Sequence, residues 1–175
     1  RFTSWFTRDG MRPLRFVRNT AEGKYQAKNF YSYKWNSENP YIEADVYSSS
    51  KGQRNIALPL DKYTYDLPTL FYLARNMDFD KVSPGQKHPM TFAVDDEVYH
   101  VHFIKYGKEV KGVGEFNTIK FSARLIAGEI FKGDSDVMIW VTDDDNRIPV
   151  WFEADVLAGT VSGRLTEYSG LKHPV

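Results

Sequence analysis

The sequence predicts a mainly β fold: a strongly twisted, curled antiparallel sheet (an open barrel or β-roll) with one α-helix near residues 66–77. Three observations carry this expectation. Apolar and polar residues alternate with period two through most of the chain, as strands with one buried face require. Aromatic residues make up 15% of the chain, with 11 Tyr and 12 Phe, and they favour pleated surfaces. A single segment switches to helical spacing.

Taken in order, "RFTSWF" opens the chain as a strand, and the spacing of Arg12, Arg15 and Arg18 suits a solvated strand face. "NFYSYKW" sets Phe30 apart from Tyr31, Tyr33 and Trp35, which share one face. "YIEADVYS" sets Ile42, Ala44 and Val46 against Tyr41, Glu43, Asp45 and Tyr47. In "YDLPTLFYLARNM", Asp66 is placed to cap a first turn in which Pro68 is tolerated. Leu67, Leu70, Phe71, Ala74 and Met77 then recur at helical spacing, which predicts that Leu70, Phe71 and Ala74 face the sheet and that Arg75 reaches a carboxylate or carbonyl nearby. "MTFAV" and "EVYHVHFIKY" flank Asp95-Asp96, a pair suited to a tight turn and so to a hairpin. "FNTIKFSARL", "DVMIWVT", "IPVWFEADV" and "TVSGRLTEY" continue the strand pattern.

The bulk numbers bound the possibilities. The 175 residues suit a single domain over 1–175, and no linker, repeat or low-complexity tract divides them. Lys plus Arg is 23 and Asp plus Glu is 23, so the basic excess of a nucleic-acid binder is missing. Without cysteine there is no disulfide, thiolate zinc site or thiol nucleophile. No run approaches the ~18 apolar residues of a transmembrane helix. The chain opens at Arg1 inside a strand pattern, which predicts a domain whose N-terminal side is incomplete.

Candidate chemistry is sparse. Asp143-Asp144-Asp145 fails as a calcium loop, because the sixth and twelfth positions from Asp143 are Ile148 and Ala154. Its β-forming flanks predict an exposed hairpin tip instead. His100 and His102 project from one strand face and make an outside candidate for zinc; Asp95, Glu97 or His88 would supply a third ligand, but the solvent face of a hairpin is the simpler reading. Gly112 and Gly114 precede no helix, so they suit a bulge or turn rather than a phosphate loop. Glu43, Asp45, Glu153 and Asp155 are available as carboxylate pairs, but 23 acids supply such pairs by chance. The ligand-groove candidates are aromatic: Tyr31, Tyr33, Trp35, Tyr41, Tyr47 and Trp140, able to stack on sugars, line an apolar cavity, or simply pack across strands.

The segments "FDKVSPGQKHPM", "KYGKEVKGVGEFNTIKF", "LIAGEIFKGDSDVMIWVTDDDNRIPV" and "DVLAGTVSGRLTEYSGLKHP" resemble domain-of-unknown-function family 3108, exported proteins of Bacteroidota and other Gram-negative bacteria. "DLPTLFYLARNMDF" and "RDGMRPLRF" fit as well, with Trp140 to Pro149 the most specific stretch. The resemblance implies a secretion signal and further strands upstream of Arg1, hence a periplasmic or outer-membrane-associated protein and an open sheet edge available for pairing with another chain. It implies no activity or cofactor, and His100 and His102 lie outside its recurrent pattern. The resulting expectation is a non-enzymatic binding or assembly module for an apolar or glycan ligand, a lipid, or a partner protein. The alternatives are an Asp/His-dependent hydrolase and a structural subunit of an outer-membrane complex.

Overall fold

A computed structural model of the chain describes residues 1–110, 116–124, 136–156 and 159–174. The described residues are mainly β with one α-helix, and their strands divide between two sheets. The first sheet is an antiparallel meander of β1 (Phe2–Phe6), β2 (Pro13–Glu22), β3 (Tyr25–Lys34), β4 (Tyr41–Ser48) and β5 (Gly52–Pro59), in that spatial order. The second holds β6 (Thr64–Tyr65), β7 (Lys87–Val94), β8 (Glu97–Val110), β9 (Asn117–Arg124), β10 (Asp136–Thr142), β11 (Pro149–Val156) and β12 (Gly159–Arg164), in reverse order across the sheet. Only β6 and β7 pair in parallel among the described ladders. Among the described residues both sheets are open, with β1, β5, β12 and β6 at the edges. Gly112 and Gly114 lie outside the described residues.

The chain forms two compact units: Arg1–Ala74 with Met90–His100, and Arg75–Pro89 with Val101–Val175. In the first, period-two alternation becomes a register. Phe16, Tyr31, Ala44 and Ile56 face one another across four strands, and all point to the core side. Phe16, Tyr31 and Ile42 are fully buried, and each side chain of that size removed from water contributes roughly 1.5–3 kcal/mol. Leu58, Leu60 and Ala93 complete this core. Trp35 stacks on Tyr33 at 6.2 Å and donates its indole N–H to the Pro13 carbonyl at 2.6 Å.

The helix α1 (Leu67–Arg75) starts as its sequence requires. The Asp66 carboxylate accepts from the Thr69 amide at 2.9 Å, and the Asp66 amide donates back to the Thr69 hydroxyl at 3.0 Å, a reciprocal cap. Ser4 on β1 donates its hydroxyl to the other carboxylate oxygen at 2.5 Å. The expected inward face is partly wrong, because Phe71 is 63% exposed and Leu70 only half-buried. The reason is geometric. Asp66 and Thr69, both fully buried, fix which side of the helix points in. Phe71 sits two residues past Thr69, about 200° around the axis. Arg75 does reach a carbonyl, donating from Nη2 to the Asn146 oxygen at 3.0 Å.

In the second unit Phe79, from a short 3-10 turn over Phe79–Lys81, packs with Ile119, Phe121 and Val141. Lys105 donates its ammonium to the Phe79 carbonyl, next to a bulge that Gly107 permits at φ +120°. At Gly163 the ring of Phe152 fills the space a Cβ would need. The acidic run 143–145 sits in the turn of the β10–β11 hairpin, as expected, but Asp143 and Asp144 are not freely exposed. One oxygen of Asp144 accepts from the Thr142 hydroxyl at 2.7 Å and from the amides of Asn146 and Arg147 at 2.8 and 3.1 Å. These bonds support Arg147 in a left-handed conformation at φ +51°. Burial raises the Asp144 carboxyl, yet those donors outweigh it and leave the group below its ordinary range. Asn146 is buried, and its side chain exchanges hydrogen bonds with the backbone of His173 at 3.0 and 3.1 Å.

Two stability tests follow from these contacts. Phe71→Ser should change the unfolding free energy in urea by about 0.5 kcal/mol or less, whereas Asp66→Ala should cost ~1–2 kcal/mol as a lost cap. Asn146→Ala should cost about 2–4 kcal/mol, because it strands several buried partners at ~1 kcal/mol or more each. It should also raise amide exchange at His173, and Asp145→Asn should do neither.

Candidate functional site

Within the first unit the turn between β7 and β8 brings a charged constellation against the core side of the meander. Asp95, at φ +52°, and Asp96 form that turn. Asp95 is held from β2 and β3. Arg18 donates to its carboxylate at 2.5 Å, Asn29 donates at 3.0 Å, and the Tyr31 phenol donates to its backbone carbonyl at 2.6 Å. Asp96 is held from β5 and the turn before it. Arg54 donates at 2.6 Å, and the Lys51 ammonium lies 3.1 and 3.2 Å from the two oxygens. The hydrogen bond from Arg54 holds the Asp96 carboxyl down at about 2, with Lys51 adding to it. Burial, and then the Asp95 charge, push the Tyr31 phenol well above its usual range, so it stays protonated and a donor.

Beside this clamp lies a cleft of about 130 Å³. Tyr25, Tyr47, Tyr99, Ser48, Ser50 and the pair Lys51–Arg54 line it together with Asp95, Asp96 and Glu97. Burial and a hydrogen bond with Glu97 push the Tyr99 phenol up to about 12. The Nε of Arg54 is buried and has no hydrogen-bond partner among the described residues, a state that costs about 1–3 kcal/mol when nothing answers it.

The opposite face of the same meander is solvated. Register places Trp5, Arg15, Ser32 and Glu43 in one row, with Val17, Phe30 and Asp45 in the next. Trp5 is 50% exposed and Phe30 45%, and Tyr41 lies on the same face beside Lys34.

The aromatic candidates therefore do not form one platform. Tyr31, Tyr33 and Trp35 face the core of the first unit, Tyr41 and Tyr47 project from the other face of the meander, and Trp140 is buried in the second unit. Of the six, only Tyr47 lines the cleft. Arg12, Arg15 and Arg18 do not share a solvated face: Arg15 is on the outer side, whereas Arg18 points inward to Asp95, since a spacing of three crosses a strand. His100 is exposed, with Nδ1 3.2 Å from the Thr91 hydroxyl, and His88 stacks on Phe103 at 4.8 Å. No group of three or more His, Cys, Asp or Glu among the described residues could hold a metal ion. Glu43 pairs with Lys34 at 2.9 Å, and Glu153 accepts from the Trp151 indole at 2.8 Å.

The depressed Asp96 carboxyl makes a signed prediction. A group lowered on folding stabilises above its unfolded value, 3.8, and that contribution is lost as the pH falls toward about 2. The stability of the chain should therefore drop through this window, and the drop should shrink in Asp96→Asn. At neutral pH that variant should cost about 1–2 kcal/mol in urea unfolding, the charge-assisted bonds being partly screened.

No curated protein and no solved structure matches the chain. A family model described as "Protein of unknown function (DUF3108)" matches residues 1–166. On a match of that extent, the chain belongs to this family of proteins of unknown function.

Proposed function

We propose that this chain is a non-enzymatic binding or assembly module of the bacterial cell envelope, and that it holds a protein partner on the outer face of the β1–β5 meander. The observation that carries the reading is the exposure of Trp5, Phe30 and Tyr41 on that face. Folding gains nothing from apolar surface left in water, and large rings exposed together on one sheet face mark an interaction surface. Around these rings stand Arg15, Lys34, Glu43 and Asp45, charges of both signs. Aromatic anchors inside a mixed polar rim are the composition of a protein interface, where truncation of a single Trp or Tyr commonly removes much of the binding energy. The resemblance to exported proteins supports the envelope address. The periplasm or outer-membrane surface, with a lipid, glycan or protein neighbour, is where such a face would be used.

The test is site-specific cross-linking in the source cell. A photoreactive residue placed at Phe30 should give one dominant adduct, recovered in the envelope fraction and lost when Trp5→Ser is added. The same probe at Phe71 should not give it. An adduct of equal yield from Phe71, persistence in Trp5→Ser, or recovery with cytoplasmic proteins alone would overturn the reading.

A further inference from the structure

We propose that the cleft beside the β7–β8 turn is a binding site for an uncharged, polyhydroxylated ligand: a single sugar ring, free or at the end of a glycan. The exposed rings that carry the protein-partner reading, Trp5, Phe30 and Tyr41, are not in its lining, so this proposal stands apart from that reading.

The lining selects the chemistry. Val46 is the only side chain in it without a hydrogen-bonding group. Tyr25, Tyr47, Tyr99, Ser48 and Ser50 supply hydroxyls, which donate and accept as a ligand requires. A purely apolar ligand would leave these groups desolvated and unpaired, at a cost no burial of its own surface offsets.

Charge selects further. Arg18, Lys51 and Arg54 stand against Asp95, Asp96 and Glu97, three cations for three carboxylates. Asp95 is committed to Arg18, and Asp96 to Lys51 and Arg54. An anionic ligand would compete with Asp96 for its two cations, and a cationic ligand would have to draw a carboxylate away from its partner. A neutral polyol does neither. It can donate hydroxyl protons to carboxylate lone pairs that the cations leave free, and it can accept from donors still unused. The donors on the lining are the hydroxyls of Tyr25, Tyr99, Ser48 and Ser50 and the Lys51 ammonium. The volume of about 130 Å³ suits one ring rather than a chain. Tyr25, half-buried and in line with the buried Ala27 and Asn29 on the inner side of β3, offers an aromatic surface for the C–H face of a sugar.

The test is a chemical-shift titration of the full chain with the methyl glycosides of glucose, galactose, mannose and N-acetylglucosamine. Inorganic phosphate and glucuronate serve as charged controls. At least one glycoside should shift amides at Tyr25, Ser48 to Arg54 and Asp95 to Tyr99 saturably, with little change elsewhere. Ser50 is exposed in the turn before β5 and takes no part in holding Asp96, so Ser50→Trp should fill the cleft in a folded protein. It should abolish the saturable shifts while leaving the rest of the spectrum in place, and Tyr25→Ala should weaken binding without loss of fold. The proposal is overturned if no glycoside gives saturable shifts at these residues, if Ser50→Trp binds as the parent does, or if phosphate or glucuronate binds more tightly than every neutral glycoside.

Discussion

The first unit depends on how two adjacent carboxylates are tolerated at the tip of a hairpin. Asp95 and Asp96 follow one another in a tight turn, and like charges a few ångströms apart repel by about 1–4 kcal/mol between water and a protein-surface dielectric. The meander answers each one separately. Arg18 and Asn29 take the Asp95 carboxylate, the Tyr31 phenol takes its carbonyl, and Lys51 with Arg54 takes Asp96. The partners come from β2, β3, β5 and the β4–β5 turn, so the tip is fastened to most of the sheet's width. Tyr31 shows how polar fixing and apolar packing combine. Its ring is fully buried against Phe16 at 5.3 Å, and its hydroxyl leaves the core at the one place where an acceptor waits.

The strands were legible in the chain because period-two alternation is a local property. Ile42, Ala44 and Val46 are buried and Tyr41, Glu43 and Asp45 exposed, as their order implies. Asp95-Asp96 was legible as a turn for the same reason. That it is the centre of a charged clamp was not, because the partners of its carboxylates lie 77 and 42 residues away in sequence and pairing at that range leaves no local trace. The cleft was missed with it; of the groove candidates only Tyr47 belongs there. An aromatic on a strand reads alike whether it faces core or solvent until register is known, so the sequence alone groups Tyr31 with Tyr41. Phe71 misleads differently. Helical spacing identifies a helix, but in one of nine residues the buried cap decides which face turns in, and a cap is a tertiary contact through Ser4 as much as a local one.

Three aspartates show why residue type alone carries so little about charge. Asp66, Asp96 and Asp144 each accept several hydrogen bonds. Asp96 is depressed because its donors are cations, first Arg54 and then Lys51. Asp144 is depressed by neutral donors, a hydroxyl and two amides, at a site open enough that burial does not prevail. Asp66 receives neutral donors too, from Ser4 and Thr69, but it is fully buried, and desolvation wins, so its carboxyl is raised. The consequences for stability have opposite signs. Asp96 and Asp144 contribute above their unfolded value and lose that contribution as the pH falls. Asp66 is favoured when protonated, and its contribution is lost as the pH rises through its folded value. Acid therefore relieves the desolvation of Asp66, whose bonds from Ser4 and Thr69 favour the ionised form, under the conditions in which the clamp on the hairpin tip is weakest. Asp66 at the helix start and Asp96 in the β7–β8 turn, both parts of the first unit, contribute to its stability in acid with opposite signs.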